Sequence, residues 1–419
     1  MNLWIINHYA GNTCYGMEYR HFFLSKYLQK HGVKPTIISA SFHHLYTNPP
    51  HVEGNLLYEK HDGIQFCFIK THIYEGNGVK RLVNSIEFTL KLNQNINKIV
   101  SKFGKPNVVI GSTPHPFIYF NLIKLKRKFS IPTIIEVRDL WPLMLHELGS
   151  LSRVNPLYWI FKWIERKSFK NTDLTLSLWH TASDYMFQHG LDRKKYHYLP
   201  NGIELKNNLK NFPVEESSLL DNVITLKKKG KFIIGYCGSH GFANSLDMII
   251  DCCIELQKQK NDKIIFYLVG NGPEKKRIVK RVEENGLNNV CFNDYVSKFT
   301  IMAFLKKIDI AFMGLKDLPL FKYGPTPNKL MDYFAMSKPI IYAINSSFDP
   351  VKECGAGITI PAGNSSELVQ AVKILEKTQP AKLIQMGVAG RKYAEANLDY
   401  ENLAARLCSI LKSLNSNKC

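Results

Sequence analysis

The chain has 419 residues, with 55 Lys and Arg against 35 Asp and Glu, 45% hydrophobic residues and 21% charged residues. This length predicts two or three domains, and the ordinary hydrophobic content excludes a disordered protein. The net charge of +20 is unusual, and both halves of the chain are basic. Such a surface suits a nucleic acid, an anionic membrane or an acidic substrate as partner.

Cysteine usage and hydropathy indicate the compartment. The nine cysteines show no C-x-x-C spacing, which disfavours a metal site and a disulfide framework and indicates a reducing environment. No segment approaches the roughly 18 apolar residues of a membrane span. The first residues, MNLWIINHYAGN, are typical of a strand rather than of a secretion signal. These features predict a cytoplasmic protein.

Short apolar runs alternate with longer amphipathic segments in the first half of the chain. The predicted strands are residues 3–9, 34–42, 64–70, 107–112, 132–138 and 174–178. The predicted helices are residues 17–31, 79–103, 117–129 and 155–170. Unbroken β-branched runs separated by helices are typical of a parallel sheet covered on both faces.

The same pattern restarts after a polar, Asn-rich segment, residues 199–231, which we interpret as a linker. The predicted strands are residues 231–238, 263–272, 289–296, 308–314, 338–344 and 357–362. The predicted helices are about 244–259, 273–285, 298–306, 326–336, 365–376 and 380–397. The predicted fold class is therefore α/β, with two doubly wound, Rossmann-like domains facing a cleft.

We place the domains at 1–205 and 206–397, with a C-terminal helix, 398–419, packing back on the first domain. Each domain has a glycine-containing loop between its first strand and the next helix, residues 8–20 and 236–247. Neither loop is G-x-G-x-x-G, and neither has a Walker Lys-Ser/Thr, which disfavours a dinucleotide oxidoreductase and a P-loop ATPase.

A third loop, YGPTPNKLMDYFAMSKPII (323–341), opens a helix with Lys329 and Asp332 one turn apart. A lysine at a helix start favours an anion, and the acid can accept from hydroxyls. An ordinary helix start shows the same pattern, so both interpretations stay open for this loop taken alone.

Five segments together resemble glycosyltransferase family 4, of GT-B architecture, and cover nearly the whole chain. More closely, the chain is similar to bacterial enzymes that build O-antigen and capsule repeat units on a lipid carrier. The segments are GMEYRHFFLSKYL (16–28), EVRDLWPLMLHELGSLS (136–152), LPNGI (199–203), VGNGP (269–273) and YGPTPNKLMDYFAMSKPII (323–341).

The resemblance implies a donor site in the second domain. There Asp332 falls on the acid that binds the donor ribose, while Gly324 replaces the first acid of the family's pair. Ser239 and Asn244 replace the two cations that usually clamp the diphosphate. Lys329 is therefore the expected side-chain charge for the diphosphate and a candidate catalytic residue, since a preorganised cation stabilises a leaving phosphate.

Backbone and loop residues complete the expected donor site. Amides of Gly16, Ser239 and His240 are expected to assist Lys329, and the loop at Gly270 and Gly272, with Tyr295 nearby, is expected to approach the base. An ordinary strand-to-helix turn is the alternative for those two glycines. The remaining donor-binding candidates are Gly238, Pro327, Asn328 and Leu330.

The acceptor side is expected at the end of an apolar strand in the first domain. Glu136, Arg138 and Asp139 follow the run TII, and Glu18 lies in the first glycine-containing loop. We expect Arg138 to pair partly with an acid, and Asp139 to orient the acceptor hydroxyl as a second candidate catalytic residue.

His115 is the third candidate catalytic residue, because a histidine from the corresponding loop faces the donor sugar in much of the family. A capping or solvent-facing role is the alternative for His115. No His, Asp and Glu cluster has metal-ligand spacing, so neither a metal nor a cofactor is expected, the UDP-sugar being a substrate.

The residues and the resemblance together predict a retaining transferase. It would move an N-acetylated hexosamine or deoxyhexosamine from a UDP donor to a polyprenyl-diphosphate-linked acceptor at the inner membrane face. Residues 76–103 and 155–170 could lie on an anionic bilayer, or be ordinary amphipathic helices. The rivals are a UDP-sugar epimerase of the same architecture and a nucleic-acid-binding protein, for which no recognised motif is visible.

Overall fold

The computed structural model describes residues 1–16, 18–76, 78–205 and 217–416. Its contacts divide the chain into two compact units. Unit 1 consists of residues 1–202 and the chain from Tyr400 onward, and unit 2 consists of residues 203–399. Residues 206–216, in the middle of the predicted linker, lie outside the described residues, as do residues 417–419 of the predicted C-terminal segment.

Unit 1 begins with strands and helices in alternation. They are β1 (Asn2–Ile6), α1 (Arg20–Gln29), β2 (Lys34–Ala40), β3 (Leu56–His61), β4 (Ile64–Ile69), α2 (Val79–Phe103), β5 (Val108–Ser112), α3 (Ile118–Phe129), β6 (Thr133–Val137), α4 (Leu143–Glu147), α5 (Pro156–Asn171), β7 (Leu174–Ser177), α6 (Ser183–Gln188) and β8 (Tyr196–Tyr198).

The described strands of unit 1 form one eight-stranded sheet in the order β3-β4-β2-β1-β5-β6-β7-β8. All pairs are parallel except the antiparallel pair of β3 and β4. The six predicted strands are confirmed, whereas β3 and β8 were not predicted. Strand β8 is half-buried throughout and β3 is half-buried except at the exposed Lys60, so both lack the continuous apolar run that marks the inner strands.

Alternation along β1 distributes the core of unit 1 between two faces. Leu3 and Ile5 pack on the side of α1, while Trp4 and Ile6 pack against α2 and α3. Successive side chains of a strand point to opposite faces, so an unbroken apolar strand must be covered by helices on both.

Unit 2 repeats this construction. Its elements are α7 (Ser218–Lys228), β9 (Phe232–Cys237), α8 (Asp247–Lys258), β10 (Ile264–Val269), α9 (Lys275–Glu284), β11 (Val290–Asn293), α10 (Lys298–Lys307), β12 (Ile310–Gly314), α11 (Asn328–Ala335), β13 (Ile340–Ala343), α12 (Pro350–Cys354), β14 (Gly357–Ile360), α13 (Ser365–Lys377) and α14 (Pro380–Asn397). Within the described residues, six parallel strands form one sheet in the order β11-β10-β9-β12-β13-β14.

The predicted linker needs a correction at its end. Residues 218–228 form α7, whose Leu219, Leu220 and Val223 are buried. This helix was missed because the surrounding asparagines and lysines hide its short apolar spacing. The six predicted strands and six predicted helices of the second half are all present, with boundaries that shift by a few residues.

The last helix, α15 (Tyr400–Ser416), returns to unit 1 and packs on α1. Leu403, Leu407 and Leu411 are buried in the same core cluster as Leu3 and Ile5. An ion pair joins Lys30 Nζ to Glu401 Oε1 at 3.0 Å. The core on the α1 side of the sheet is therefore built from both ends of the sequence.

Candidate functional site

The carboxyl ends of the central strands of unit 2 carry three segments of interest. The loop after β9 holds Gly238, Ser239 and His240, the loop after β10 holds Gly270 and Gly272, and α11 begins after β12. In the sheet, β9 lies between β10 and β12. The chain continues from β9 to β10 and β11 on one side, and then crosses to β12, β13 and β14 on the other. These segments therefore meet at a topological switch point. Ligands of open α/β sheets bind at such points.

The two glycine-containing loops of unit 2 touch each other through their backbones. Gly238 N donates to Val269 O at 3.0 Å, and His240 N donates to Asn271 O at 2.8 Å. A Cβ built on Gly270 would lie 2.0 Å from Gly238 O, and both Gly270 and Gly272 have positive φ. The glycines are thus required for this close approach, which the prediction of an ordinary turn does not explain.

Lys329 lies at the second position of α11 with its amine turned into the protein. Its Nζ donates to Tyr236 Oη at 2.9 Å and to Asn244 Oδ1 at 2.5 Å. It also sits 4.5 Å from the centre of the Tyr236 ring. Burial lowers the pKa of Lys329 to about 7, so the amine is readily charged by an anion that approaches it.

The start of α11 is shaped by the residues before it. Gly324 adopts the left-handed conformation with φ of 72°, ending the turn Pro319–Tyr323, and Pro327 stands at the helix cap position without a capping side chain. The Asn328 side chain is exposed, whereas Leu330 is fully buried. Leu330 can therefore contribute only backbone to a ligand, and Lys329 is the charged group at this helix start.

Asp332, one turn further along α11, forms an ion pair with Lys298 at the start of α10. The Asp332 side chain is only 14% exposed. A carboxylate held in this way presents an oriented acceptor face. Sequence reasoning identified Asp332 but not Lys298, because the pair joins residues that are distant in the chain.

The amides expected to assist Lys329 are only partly available. Gly16 N donates to Asn12 O at 3.1 Å, and His240 N is bonded to Asn271 O as described above. The predicted use of these two amides as anion donors is therefore wrong for this structure. The amide of Ser239 remains a candidate anion donor. The carbonyl oxygen of Ser239 accepts hydrogen bonds from Tyr236 Oη at 2.6 Å and from Asn244 Nδ2 at 3.0 Å.

His240 and Tyr295 differ in accessibility. The His240 ring is buried, and neither ring nitrogen has a hydrogen-bond partner among the described residues. Burial lowers the pKa of His240 to about 4, so the ring is neutral at pH 7. Tyr295 is 60% exposed, so it is free to cover a ligand that reaches the loop after β10.

In unit 1, Glu136 is the centre of a buried network at the end of β6. Its Oε1 lies 2.9 Å from His21 Nε2 and accepts from Ser112 Oγ at 2.7 Å, and its Oε2 accepts from Arg20 Nε at 3.0 Å. Burial alone would raise the pKa of Glu136, but Arg20 and His21 hold it well below its usual range. The predicted acceptor-side role of Glu136 is corrected to a structural one, since its oxygens are engaged inside the unit.

Arg138 and Glu18 form a two-point pair. Arg138 Nη1 and Nη2 donate to the two Glu18 oxygens at 2.7 and 2.5 Å. Arg138 therefore pairs with an acid, as expected, and the acid is one of the acceptor-side candidates. Burial raises the pKa of the neighbouring Asp139, and Arg138 partly opposes that rise. Asp139 is the acceptor-side carboxyl that forms no ion pair with any described residue.

His115 is buried rather than solvent-facing. Its Nε2 lies 2.9 Å from His8 Nδ1, while its Nδ1 has no partner among the described residues. Burial lowers the pKa of His115 to about 3, so it is neutral at pH 7. His8 was not predicted, although it follows β1 directly, at the same sheet edge as His115 after β5.

The described residues hold no group of three His, Cys, Asp or Glu side chains arranged to bind a metal ion. Among the helices described, none is both long and apolar enough to cross a membrane.

Comparison with family models assigns both units. Residues 16–207 match the model described as Glycosyltransferase Family 4, and residues 220–393 match the model described as Glycosyl transferases group 1. A curated relative, "Putative colanic acid biosynthesis glycosyl transferase WcaI" of Escherichia coli K12, is 23% identical over 321 residues, 74% of each chain.

Solved structures share the architecture at low sequence identity. Sucrose-phosphate synthase from Thermosynechococcus elongatus matches over 99% of both chains with a TM-score of 0.74 and 14% identity. Anabaena Alr3699/HepE, solved in complex with UDP and glucose, matches over 99% of this chain and 100% of its own, with a TM-score of 0.69 and 12% identity. These likenesses show the fold, which is the GT-B arrangement of two Rossmann-like units.

Proposed function

This chain belongs to glycosyltransferase family 4 and is a glycosyltransferase, and we propose that it transfers a sugar from a UDP donor to a lipid-diphosphate-linked acceptor in surface polysaccharide synthesis. The sugar proposed is an N-acetylated hexosamine or deoxyhexosamine, transferred with retention. Support for the pathway class comes from the relative whose name refers to colanic acid biosynthesis. Support for a UDP donor comes from the likeness to a protein solved with UDP and glucose.

The single observation that carries the donor assignment is the position of Lys329. Its amine lies at the start of α11, where the helix dipole favours anions, and its pKa is lowered to about 7 by burial. Asp332 follows one helical turn later and is ion-paired with Lys298. A cation and a carboxylate at this spacing suit a diphosphate next to a ribose.

The proposed mechanism uses Lys329 against the charge that develops on the leaving diphosphate. As the glycosidic bond lengthens, negative charge grows on the β-phosphate, and the ammonium stabilises it more than it stabilises the ground state. The acceptor hydroxyl attacks directly, so no protein nucleophile is required, and no protein base is needed because the leaving phosphate can accept the proton of that hydroxyl. Asp139 would orient that hydroxyl, and neutral His115 can hydrogen-bond a sugar hydroxyl without adding charge.

A lipid-linked acceptor would bring the enzyme to the inner face of the cytoplasmic membrane as a peripheral protein. The net charge of +20 supports this part of the proposal, since the acceptor diphosphate and the bilayer surface are both anionic. The net charge taken alone also fits a nucleic-acid-binding protein, so the proposal depends on the lipid-linked acceptor as well.

A thermal-shift screen of nucleoside diphosphates tests the donor assignment. We expect UDP to raise Tm, Lys329→Ala to reduce that rise strongly, and Lys307→Ala, an exposed lysine on α10, to leave it unchanged. If no nucleotide raised Tm, that result would contradict the donor-site assignment. Turnover of a UDP-sugar without any acceptor would favour the epimerase instead.

A further inference from the structure

Three neighbouring helices of unit 1 expose large apolar side chains on one side of the sheet. In α2 these residues follow the helical spacing 79, 83, 86 and 90 and form a single exposed stripe. They are Val79, Val83, Ile86 and Leu90. The opposite face of α2, with Phe88 and Leu92, is fully buried against the sheet. The apolar side chains of this stripe are therefore not needed to pack α2 against the sheet.

Helix α5 adds the largest exposed groups. Trp159 and Trp163 are 61% and 51% exposed, and Ile160 between them is also exposed. Leu82 of α2 packs against the cluster that contains Phe161 of α5, so the two helices are neighbours. Helix α3 packs on both and contributes the exposed Phe120. Grouped apolar surface of this kind marks an interaction site rather than scattered exposure.

These same helices concentrate the positive charge of the chain. Helices α2, α3 and α5 contain 13 Lys and Arg against two acids, while the net charge of the whole chain is +20. Both acids are engaged: Glu87 pairs with Lys91 at 2.6 Å, and Glu165 is buried beside Lys162. More than half of the excess charge thus lies on the helices with the exposed apolar groups.

We propose that the exposed faces of α2, α3 and α5 form a docking surface for an anionic lipid bilayer. Tryptophans beside lysines are the pairing that suits the membrane interface, where the ring enters the headgroup layer and the ammonium meets lipid phosphates. A nucleic acid would explain the charge but not the apolar stripe, and a second copy of this chain would meet the same positive charge. The inference rests on the proposed function in one respect only, which is the purpose of docking: it would bring the enzyme to a lipid-linked acceptor.

Tryptophan fluorescence of the full chain gives a direct test. The five tryptophans comprise buried Trp4 and Trp179, half-buried Trp141, and the two exposed ones on α5. Vesicles of phosphatidylcholine with phosphatidylglycerol should therefore shift the emission to the blue, and Trp159→Phe with Trp163→Phe should abolish the shift while keeping the protein bound. Vesicles of phosphatidylcholine alone should give little binding.

Substitutions on the surface separate the apolar and charged contributions. Trp159→Ala should lower the vesicle partition coefficient about tenfold. Neutralising Arg166 and Lys167 on α5 should lower it about 30-fold, at about fivefold per charge. The matched controls lie in unit 2, where Ile384→Ala removes an exposed apolar group and Lys306→Gln with Lys307→Gln removes two exposed charges.

The outcomes distinguish this surface from the proposed function. Equal vesicle binding by the α5 variants and their unit 2 controls would overturn the surface, even if UDP still raises Tm. A protein that binds anionic vesicles through α5 but ignores UDP would retain the surface and lose the donor assignment. Binding of random DNA that α5 charge variants weaken, with no blue shift on vesicles, would identify a nucleic-acid surface instead. A dimer that Trp159→Ala dissociates, with no vesicle binding, would also overturn the proposal.

Discussion

The amine of Lys329 lies 2.9 Å from the hydroxyl of Tyr236 and 4.5 Å from the centre of its ring. The hydroxyl in turn donates to Ser239 O at 2.6 Å. The neutral phenol of Tyr236 and the side-chain amide oxygen of Asn244 hold the Lys329 amine in place but do not neutralise its charge. The amine is therefore positioned in advance for an anion, and no described carboxylate is paired with it and would have to be displaced first.

The first prediction concerns the pH dependence of UDP binding. A bound diphosphate favours the charged amine, so affinity should be highest below the pKa of Lys329, about 7, and fall as pH rises through it. Calorimetric titrations from pH 6.5 to 9 should show a fall approaching about tenfold per pH unit above pH 7.5. Lys329→Arg, which stays charged, should flatten the profile; an identical slope in that variant would contradict the assignment.

The second prediction concerns the contact of the two loops of unit 2. Gly270→Ala should separate the loops, because its Cβ would meet Gly238 O at 2.0 Å, and should remove the UDP-induced rise in Tm. Gly286→Ala is the matched control, since Gly286 also has positive φ but has open space around it. The control should cost only about 1 kcal/mol and keep UDP binding. Normal UDP binding by Gly270→Ala would disprove the requirement for close approach.

The third prediction concerns the stability of unit 1. Glu136→Gln leaves Arg20 buried without its counter-charge and should lower the free energy of unfolding by about 3–5 kcal/mol. Ser112→Ala, which removes one neutral donor to the same carboxylate, should cost about 1 kcal/mol. All five tryptophans lie in residues 1–202, so urea unfolding followed by their fluorescence reports on this unit.

The pH dependence of the same network has a definite sign. The pKa of Glu136 is lower in the folded state than in the unfolded chain, so its contribution is complete above the unfolded value. It is lost as pH falls through the folded pKa. Wild type should therefore lose stability on acidification more steeply than Glu136→Gln, and parallel curves would contradict the network's role.

The fourth prediction separates the acceptor from the donor. Asp139→Asn should lower kcat/KM for the acceptor by about 100-fold, the loss expected when a reacting group is misplaced by about 1 Å. It should leave the UDP-induced rise in Tm unchanged. Glu18→Gln provides a contrast, because it breaks the pair with Arg138 and should reduce stability first. A loss of UDP binding in Asp139→Asn would place that residue in the donor site instead.

Local sequence patterns were sufficient for every described parallel strand except β8, and for the helix start at Lys329. Runs such as IIFYLV in β10 are apolar throughout because both faces of the strand are covered. The edge strand β3, LLYEKH, pairs with a single neighbour and mixes polar with apolar residues, so it has no such signature. Short or edge elements were missed for this physical reason.

The side-chain partners of the candidate residues could not be predicted from the sequence. Arg20 and Glu136 are 116 positions apart, and Tyr236 and Lys329 are 93 apart. Only the topology brings such residues to the same sheet edge. The pattern could indicate that Glu136 follows an apolar strand, but not that its oxygens were already occupied by a buried arginine and histidine.

The return of α15 to unit 1 affects how the protein can be made. Unit 2 is a continuous stretch that emerges from the ribosome before its neighbour is complete, whereas unit 1 waits for the last seventeen helical residues to cover Phe22, Leu24 and Leu28 on α1. Domains normally fold as units during synthesis, with the N-terminal one first. Here the N-terminal unit is completed only after α15 has been made, so a premature stop before Tyr400 would leave the core on the α1 side of its sheet uncovered.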